Sequence, residues 1–195
     1  MGKIKFTRGN GVAEDVLMKL RVKAADRLIP NHCRDGRILD IGCGTIPFFL
    51  MNINFKEKYG IDKNLSIKNI NGIIIKKKDI TMNIPYEDEY FDVVTMLATV
   101  EHFSEEEVTR IFREIFRVLK RNGILIITTP TPIGFYVLKI MAYFNIVSKE
   151  EIFEHKLIAS KEKVISILKR SNYIYKRKEH GFFEFCLNSW FCITK

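Results

Sequence analysis

Arg37 to Leu50 reads R-I-L-D-I-G-C-G-T-I-P-F-F-L. Ile38, Leu39 and Ile41 make a short apolar strand with Asp40 near its end, and Gly42 and Gly44 follow with one residue between them. A turn that leaves a strand sharply and lets a ligand touch its backbone needs residues without a Cβ, which these glycines supply. Pro47 fits the first position of a helix, where its missing N–H costs nothing. Strand, glycine turn and helix together predict a nucleotide-binding hairpin.

Working outward, Glu57 to Ile61 reads as a second strand ending at Asp62. A carboxylate there can accept both hydroxyls of a ribose. A dinucleotide would want a third glycine, so that its pyrophosphate could sit on the helix N-terminus, but that position is Pro47 and no basic residue stands in the turn. With Asp40 and Asp62 both near the site, a ligand with no phosphate and a positive charge suits it better.

The remaining pattern alternates. Gly11 to Ile29 carries apolar residues at Val12, Val16, Leu20 and Leu28 with charges between them, an amphipathic helix before the first strand. Pro30 to Gly36 is a polar break in which His32 and Cys33 are loop residues. The helix after the glycine turn continues from Phe48 to Ile53, and Asn64 to Ile70 is a short helical connection. Ile73 to Ile75 form a third strand running into Asp79, and Phe91 to Leu97 is a continuous apolar run, as for a strand covered on both faces. Ser104 and Glu107 have capping-box spacing before an apolar face of Val108, Ile111, Phe112, Ile115, Val118 and Leu119. Asn122 and Gly123 are expected to end that helix before a fifth strand, Ile124 to Thr129.

The stretch Thr131 to Ser148 departs from this rhythm, being apolar almost all round; it reads as a buried crossover helix or as a lid that also touches a hydrophobic substrate or partner. Ser160 to Lys169 is another amphipathic helix. Tyr173 to Lys178 and Phe185 to Thr194 are two expected strands joined by a long connection containing Gly181, with Trp190 as core or edge packing. Strands alternating with helices indicate a parallel sheet with right-handed crossovers.

The chain has 195 residues with 47% hydrophobic content, enough for one well-buried domain. No apolar run of about 18 residues or more occurs and M-G-K-I-K-F lacks a signal-peptide core, so the expected location is cytoplasmic. Cys33, Cys43, Cys186 and Cys192 form no C-x-x-C pair and the histidines are not clustered, which indicates neither a zinc site nor a disulfide framework; no metal is expected. The formal charge of +9 is spread out, its densest runs being Lys76 to Lys78 and Lys176 to Lys178. That distribution reads either as a solvated rim or as an anionic footprint.

The motifs I-L-D-I-G-C-G-T, Y-G-I-D at Tyr59 to Asp62, K-D-I at Lys78 to Ile80, N-I-P-Y-E-D-E-Y-F-D-V-V from Asn83, V-E-H-F from Val100 and V-L-K-R-N-G-I-L-I-I-T-T-P from Val118 occur in that order. They resemble the successive motifs of class I S-adenosylmethionine-dependent methyltransferases, in the small-molecule branch. The resemblance implies an α/β, doubly wound, Rossmann-like sheet of seven strands, the last antiparallel, with helices on both faces. One methyltransferase domain would span residues 1–195. Its parts would be an N-terminal helix (1–35), a cofactor-binding core (36–130), lid or acceptor-side helices (131–171) and a terminal strand pair (172–195).

By position, Asp40, Gly42, Cys43 and Gly44 would surround the amino-acid part of S-adenosylmethionine, and Asp62 would take the ribose hydroxyls with Lys63 beside it. Asp79 would accept from the adenine amino group while Ile80 packs near the ring. Leu97 and Ala98 would line the methionine side, and His102 would close the site near the sulfonium. Many family members carry a third glycine directly after the pair matching Gly44 and Thr45, where this chain has Ile46.

Methyl transfer from a sulfonium is an in-line displacement, so the protein chiefly aligns donor and acceptor and excludes water. A hydroxyl acceptor must also lose a proton to a base with a pKa near neutral, for which His102 and His155 are the candidates. His155 falls where related O-methyltransferases place a histidine on the acceptor side; the alternative is a surface histidine on a charged segment. M-L-A-T stands after the fourth strand in place of an N-P-P-Y type motif, and no appended recognition domain is expected. The expected acceptor is therefore a small or amphiphilic molecule, with S-adenosylhomocysteine as the other product. Two rivals remain: an RNA methyltransferase, suggested by the charge, and a non-catalytic member dimerising through the apolar 133–146 stretch. A nicotinamide-dependent oxidoreductase fits least.

Overall fold

The strands are, in chain order, β1 (Arg37–Ile41), β2 (Glu57–Asp62), β3 (Ile73–Lys77), β4 (Phe91–Leu97), β5 (Leu119–Pro130), β6 (Arg177–Phe183) and β7 (Asn188–Thr194). The helices are α1 (Glu14–Arg27), α2 (Phe48–Met51), α3 (Glu105–Val118), α4 (Pro132–Tyr143), α5 (Lys149–Phe153) and α6 (Lys161–Arg170). These belong to a computed structural model that describes residues 14–65, 70, 72–144, 146–172 and 174–195. Val12 of the expected first helix, residues 66–69 of the expected 64–70 connection and Tyr173 lie outside the described residues.

All seven strands join one sheet in the order β3-β2-β1-β4-β5-β7-β6, with β7 antiparallel to both β5 and β6. β1 lies between β2 and β4, parallel to each. The chain therefore leaves the sheet in opposite directions from these neighbours, and a crevice opens at the carboxyl ends of β1 and β4. Two cores cover the faces. Phe112, Ile115 and Phe116 of α3 pack with Val164, Ile167 and Leu168 of α6 on one side; Ala25, Phe49 and Leu50 belong to the other.

α3 begins where its sequence says it should. Ser104 Oγ accepts from the Glu107 amide while Glu107 Oε2 accepts from the Ser104 amide at 2.7 Å, which satisfies donors that the first turn would otherwise leave open.

Several expectations are corrected. Pro47 is the N-cap of α2, one position before the helix, and α2 stops at Met51 instead of running to Ile53. The polar break holds a 3-10 turn, Asn31–Cys33. β3 ends at Lys77, short of Asp79. Asn122 and Gly123 do not terminate α3: the helix ends at Val118, β5 starts at once, and Asn122 (φ 63°) forms an irregularity within the strand where its pairing with β4 shifts. β6 begins at Arg177 and contains Gly181, which faces Trp190 so closely that a Cβ would lie 2.4 Å from its ring. The β6–β7 connection is instead short, and three successive residues in it, Glu184, Phe185 and Cys186, have positive φ. Finally, α4 is no buried crossover: Ile133, Tyr136, Ile140 and Tyr143 are exposed along its outer side, while Gly134, Phe135 and Ala142 are buried.

Candidate active site

At the carboxyl ends of β1, β2 and β4 lies a cavity of about 340 Å³. Asp40, Gly42, Cys43, Gly44, Asp62, Lys63, Asp79, Ile80, Leu97, Ala98 and His102 all line it. So does Ile46, and α1 closes one side with Met18, Arg21 and Val22.

The turn after β1 depends on its glycines. Gly42 (φ +73°) and Gly44 (φ +80°) occupy the left-handed region, and a Cβ on Gly42 would sit 2.3 Å from Thr99 Cγ2. The amides of this turn are used within the protein. Those of Gly42 and Cys43 donate to the Ile61 carbonyl at 2.8 and 3.3 Å, and that of Gly44 donates to Asp62 Oδ2 at 2.9 Å. The three amides are thus committed internally, which argues against a pyrophosphate at this turn.

Asp62 also accepts from the Asn64 amide at 2.7 Å through Oδ1. These two amide bonds fix the orientation of its carboxylate at the end of β2. Asp79 Oδ1 accepts from the Thr81 amide at 2.9 Å, and that bond holds its carboxyl below the usual range. Asp40 is 3% exposed, and Thr95 Oγ1 donates to its Oδ1 at 2.6 Å. Burial pushes the Asp40 carboxyl up to about 7, against the Thr95 hydrogen bond and with the nearby Asp62 charge.

Past β4 the chain turns through Ala98, whose φ of 49° is held while its amide donates to the Thr128 carbonyl at 2.9 Å. The 3-10 turn Val100–His102 then brings His102 to the cavity. His155 does not line it. Its ring stacks on Phe135, centroids 5.7 Å apart, and meets His102 edge to face. Burial and the neighbouring His102, Arg21 and Lys139 push His155 down to about 4, so it is a much weaker base than the near-neutral one expected.

Two groups to which the sequence reading assigned no role emerge here. Glu101 is 2% exposed, its Oε2 has no hydrogen-bond partner, and burial pushes its carboxyl up to about 7 against its own backbone N–H and the Arg21 charge. Its carbonyl accepts from the amides of Lys156 and Leu157 at 2.8 and 3.1 Å, which ties the segment after α5 to the turn after β4. Arg21 lies on α1, and its Nε is buried without a partner. No sequence signal distinguished it from the other charges of an amphipathic helix. Among the described residues no three His, Cys, Asp or Glu side chains are placed to hold a metal ion.

Residues 39–127 match the family model described as a methyltransferase domain. A demethylmenaquinone methyltransferase of Lactobacillus johnsonii is 28% identical over 122 residues, covering 58% of this chain and 48% of that protein. An uncharacterised protein of Methanocaldococcus jannaschii is 28% identical over 123 residues, covering 56% and 52%. The chain thus spans about half the length of these curated relatives. Among solved structures, a methyltransferase of Thermotoga maritima superposes with a TM-score of 0.69 at 20% identity, covering 91% of this chain and 88% of that one. One of Archaeoglobus fulgidus gives 0.65 at 20% identity, covering 91% and 94%. Over residues 39–127 the chain is thus similar to a methyltransferase domain, and it shares its overall fold with these solved methyltransferases.

Proposed function

We propose that this protein transfers a methyl group from S-adenosylmethionine to a small or amphiphilic acceptor. The observation that carries this reading is the pairing of Asp62 with a glycine turn whose amides are internally committed: it offers a ribose an oriented carboxylate and offers a phosphate no amide from residues 42 to 44. Asp40 and Asp62 supply negative charge for a cationic ligand.

Bound S-adenosylmethionine supplies a methyl group already activated by its sulfonium. The protein's part is to bind, orient and exclude water. Asp62 holds the ribose hydroxyls with Lys63 beside it, Asp79 accepts from the adenine amino group, and Ile80 packs near the ring. Leu97, Ala98 and His102 bound the methionine side. The acceptor enters from the side of α4, where the exposed Ile133, Tyr136 and Ile140 suit an amphiphile; the demethylmenaquinone methyltransferase relative points the same way.

With oxygen as the acceptor atom, a proton must leave. His102 is the cavity-lining candidate to receive it. His155 acts behind it as a positioning residue, its low pKa keeping its own ring neutral.

Calorimetric titration with S-adenosylmethionine and S-adenosylhomocysteine, beside an Asp62→Ala control, tests the reading. Micromolar binding that the control loses is the expected result; no binding by the wild type would overturn it.

A further inference from the structure

We propose that the outer side of α4 and the tip of the β6–β7 turn seat this protein on the surface of an anionic lipid bilayer. The outward positions of α4 are Ile133, Tyr136, Lys139, Ile140 and Tyr143, with Phe144 at its C-cap, and their spacing puts them on one stripe of the helix. A solvent-facing stripe is ordinarily polar, but this one carries a single charge, and residues 131–148 contain no Asp or Glu. The opposite side of α4 is covered within the protein: Phe135 and Ala142 are buried, and Leu138 and Met141 pack with Val147 and Ile152.

A second feature stands beside the first. Phe185 takes φ 54° between Glu184 and Cys186, both also in the left-handed region, and its ring is left wholly to solvent. That backbone disfavours a bulky side chain. Thr131 Oγ1 donates to the Cys186 carbonyl at 3.0 Å, so tip and stripe belong to one surface.

Charge selects the occupant. At a formal +9 the protein is drawn to an anionic surface and repelled by a second copy of itself. Lys139 stands midway along the stripe, so a two-fold pairing of α4 with itself would set two lysines against each other in an apolar contact. At a bilayer the same side chain extends to the headgroups, and Tyr136 and Tyr143 have the apolar ring and polar end suited to that depth. α4 is about 18 Å long, too short to cross a hydrocarbon core of about 30 Å, and so lies in the interface. On its inner side Phe135 stacks on His155, which meets the cavity-lining His102. An amphiphilic acceptor in the bilayer then reaches the site without crossing water, a consequence that rests on the methyl-transfer reading; the seat itself does not.

The test is flotation with vesicles of phosphatidylcholine alone and of phosphatidylcholine and phosphatidylglycerol in equal parts. Wild type should bind the mixed vesicles about 10-fold or more tightly than the neutral ones, and less tightly as salt rises. Tyr143→Ser and Phe185→Asn, the latter better suited to the left-handed backbone, should each weaken that binding by about 10-fold. Both should melt no lower than wild type and keep its S-adenosylmethionine affinity, a separate readout that reports on the cofactor reading alone. Wild type that stays off both kinds of vesicle, equal binding to neutral vesicles, or variants that bind as wild type does overturn the proposal. So does a dimer in light scattering that Tyr143→Ser dissociates, which would assign this surface to a second copy.

Discussion

The imidazole of His155 lies edge to face against that of His102, centroids 5.0 Å apart, so the cavity's histidine is backed by a second ring. Replacing His155 with Ala removes that backing and the stack on Phe135. Turnover should fall while S-adenosylmethionine affinity, read by calorimetry, stays unchanged. Unaltered turnover would take His155 out of the acceptor side.

His155 also makes stability depend on pH. Its folded pKa of about 4 lies below its ordinary 6.5, so between those values the unfolded chain binds more protons. Its contribution is therefore complete above pH 6.5 and is lost as the pH falls towards 4, by up to about 3 kcal/mol. An NMR titration should find the His155 ring neutral at pH 5.5; a midpoint near 6.5 would contradict this.

Asp40 works in the opposite sense. Its folded pKa of about 7 lies above the ordinary 3.8, so its protonated form favours the fold at low pH, and this advantage is lost as the pH rises from about 4 to 7. Asp40→Asn can still accept from Thr95 yet never ionises. It should therefore melt higher than wild type at pH 8, by on the order of 2–4 kcal/mol, and close to wild type at pH 4. The same variant should bind S-adenosylmethionine more weakly at pH 8, where the wild type has its negative charge.

Gly42→Ala must place a Cβ against Thr99 at a φ of +73°. A loss of about 1–3 kcal/mol in urea unfolding is expected, with cofactor binding weakened in step. Gly44→Ala shares the φ cost, but its Cβ would find only the Ile46 carbonyl at 3.6 Å, so it should destabilise less.

Ser104→Ala breaks the hydroxyl arm of the capping box; Ser104 itself does not line the cavity, although its partner Glu107 does and keeps its other arm to the Ser104 amide. The substitution should cost about 1 kcal/mol of stability with no change in cofactor affinity. A large binding defect would mean that the start of α3 shapes the cavity.

What the sequence revealed divides along physical lines. β4 lies at Phe91–Leu97 and α3 starts after Ser104, because an unbroken apolar run and a capping box are local signals. The residues expected on the cofactor side line one cavity because most sit at or just past a strand end, where spacing fixes position. The irregularity at Asn122 was hidden because Asn-Gly equally suits a helix stop, and only pairing with β4 shows that the chain was already extended. The β6–β7 turn was misplaced because Glu184, Phe185 and Cys186 take positive φ with no glycine to announce it. Arg21 and Glu101 were invisible as a pair because burial and mutual charge arise only after α1 crosses the sheet's end.

The glycine-free turn between β6 and β7 also holds the start of α4. The Thr131 amide donates to the Leu187 carbonyl at 2.9 Å and its hydroxyl donates to the Cys186 carbonyl at 3.0 Å. Gly134 presses so close that a Cβ would stand 1.8 Å from the Leu187 oxygen. The first turn of α4 is thereby latched to a hairpin tip whose Cys186 and Leu187 lie outside the cavity wall. On the function proposed above, changes confined to that tip re-aim α4 and with it the choice of acceptor, while every residue proposed to hold the methyl donor stays as it is.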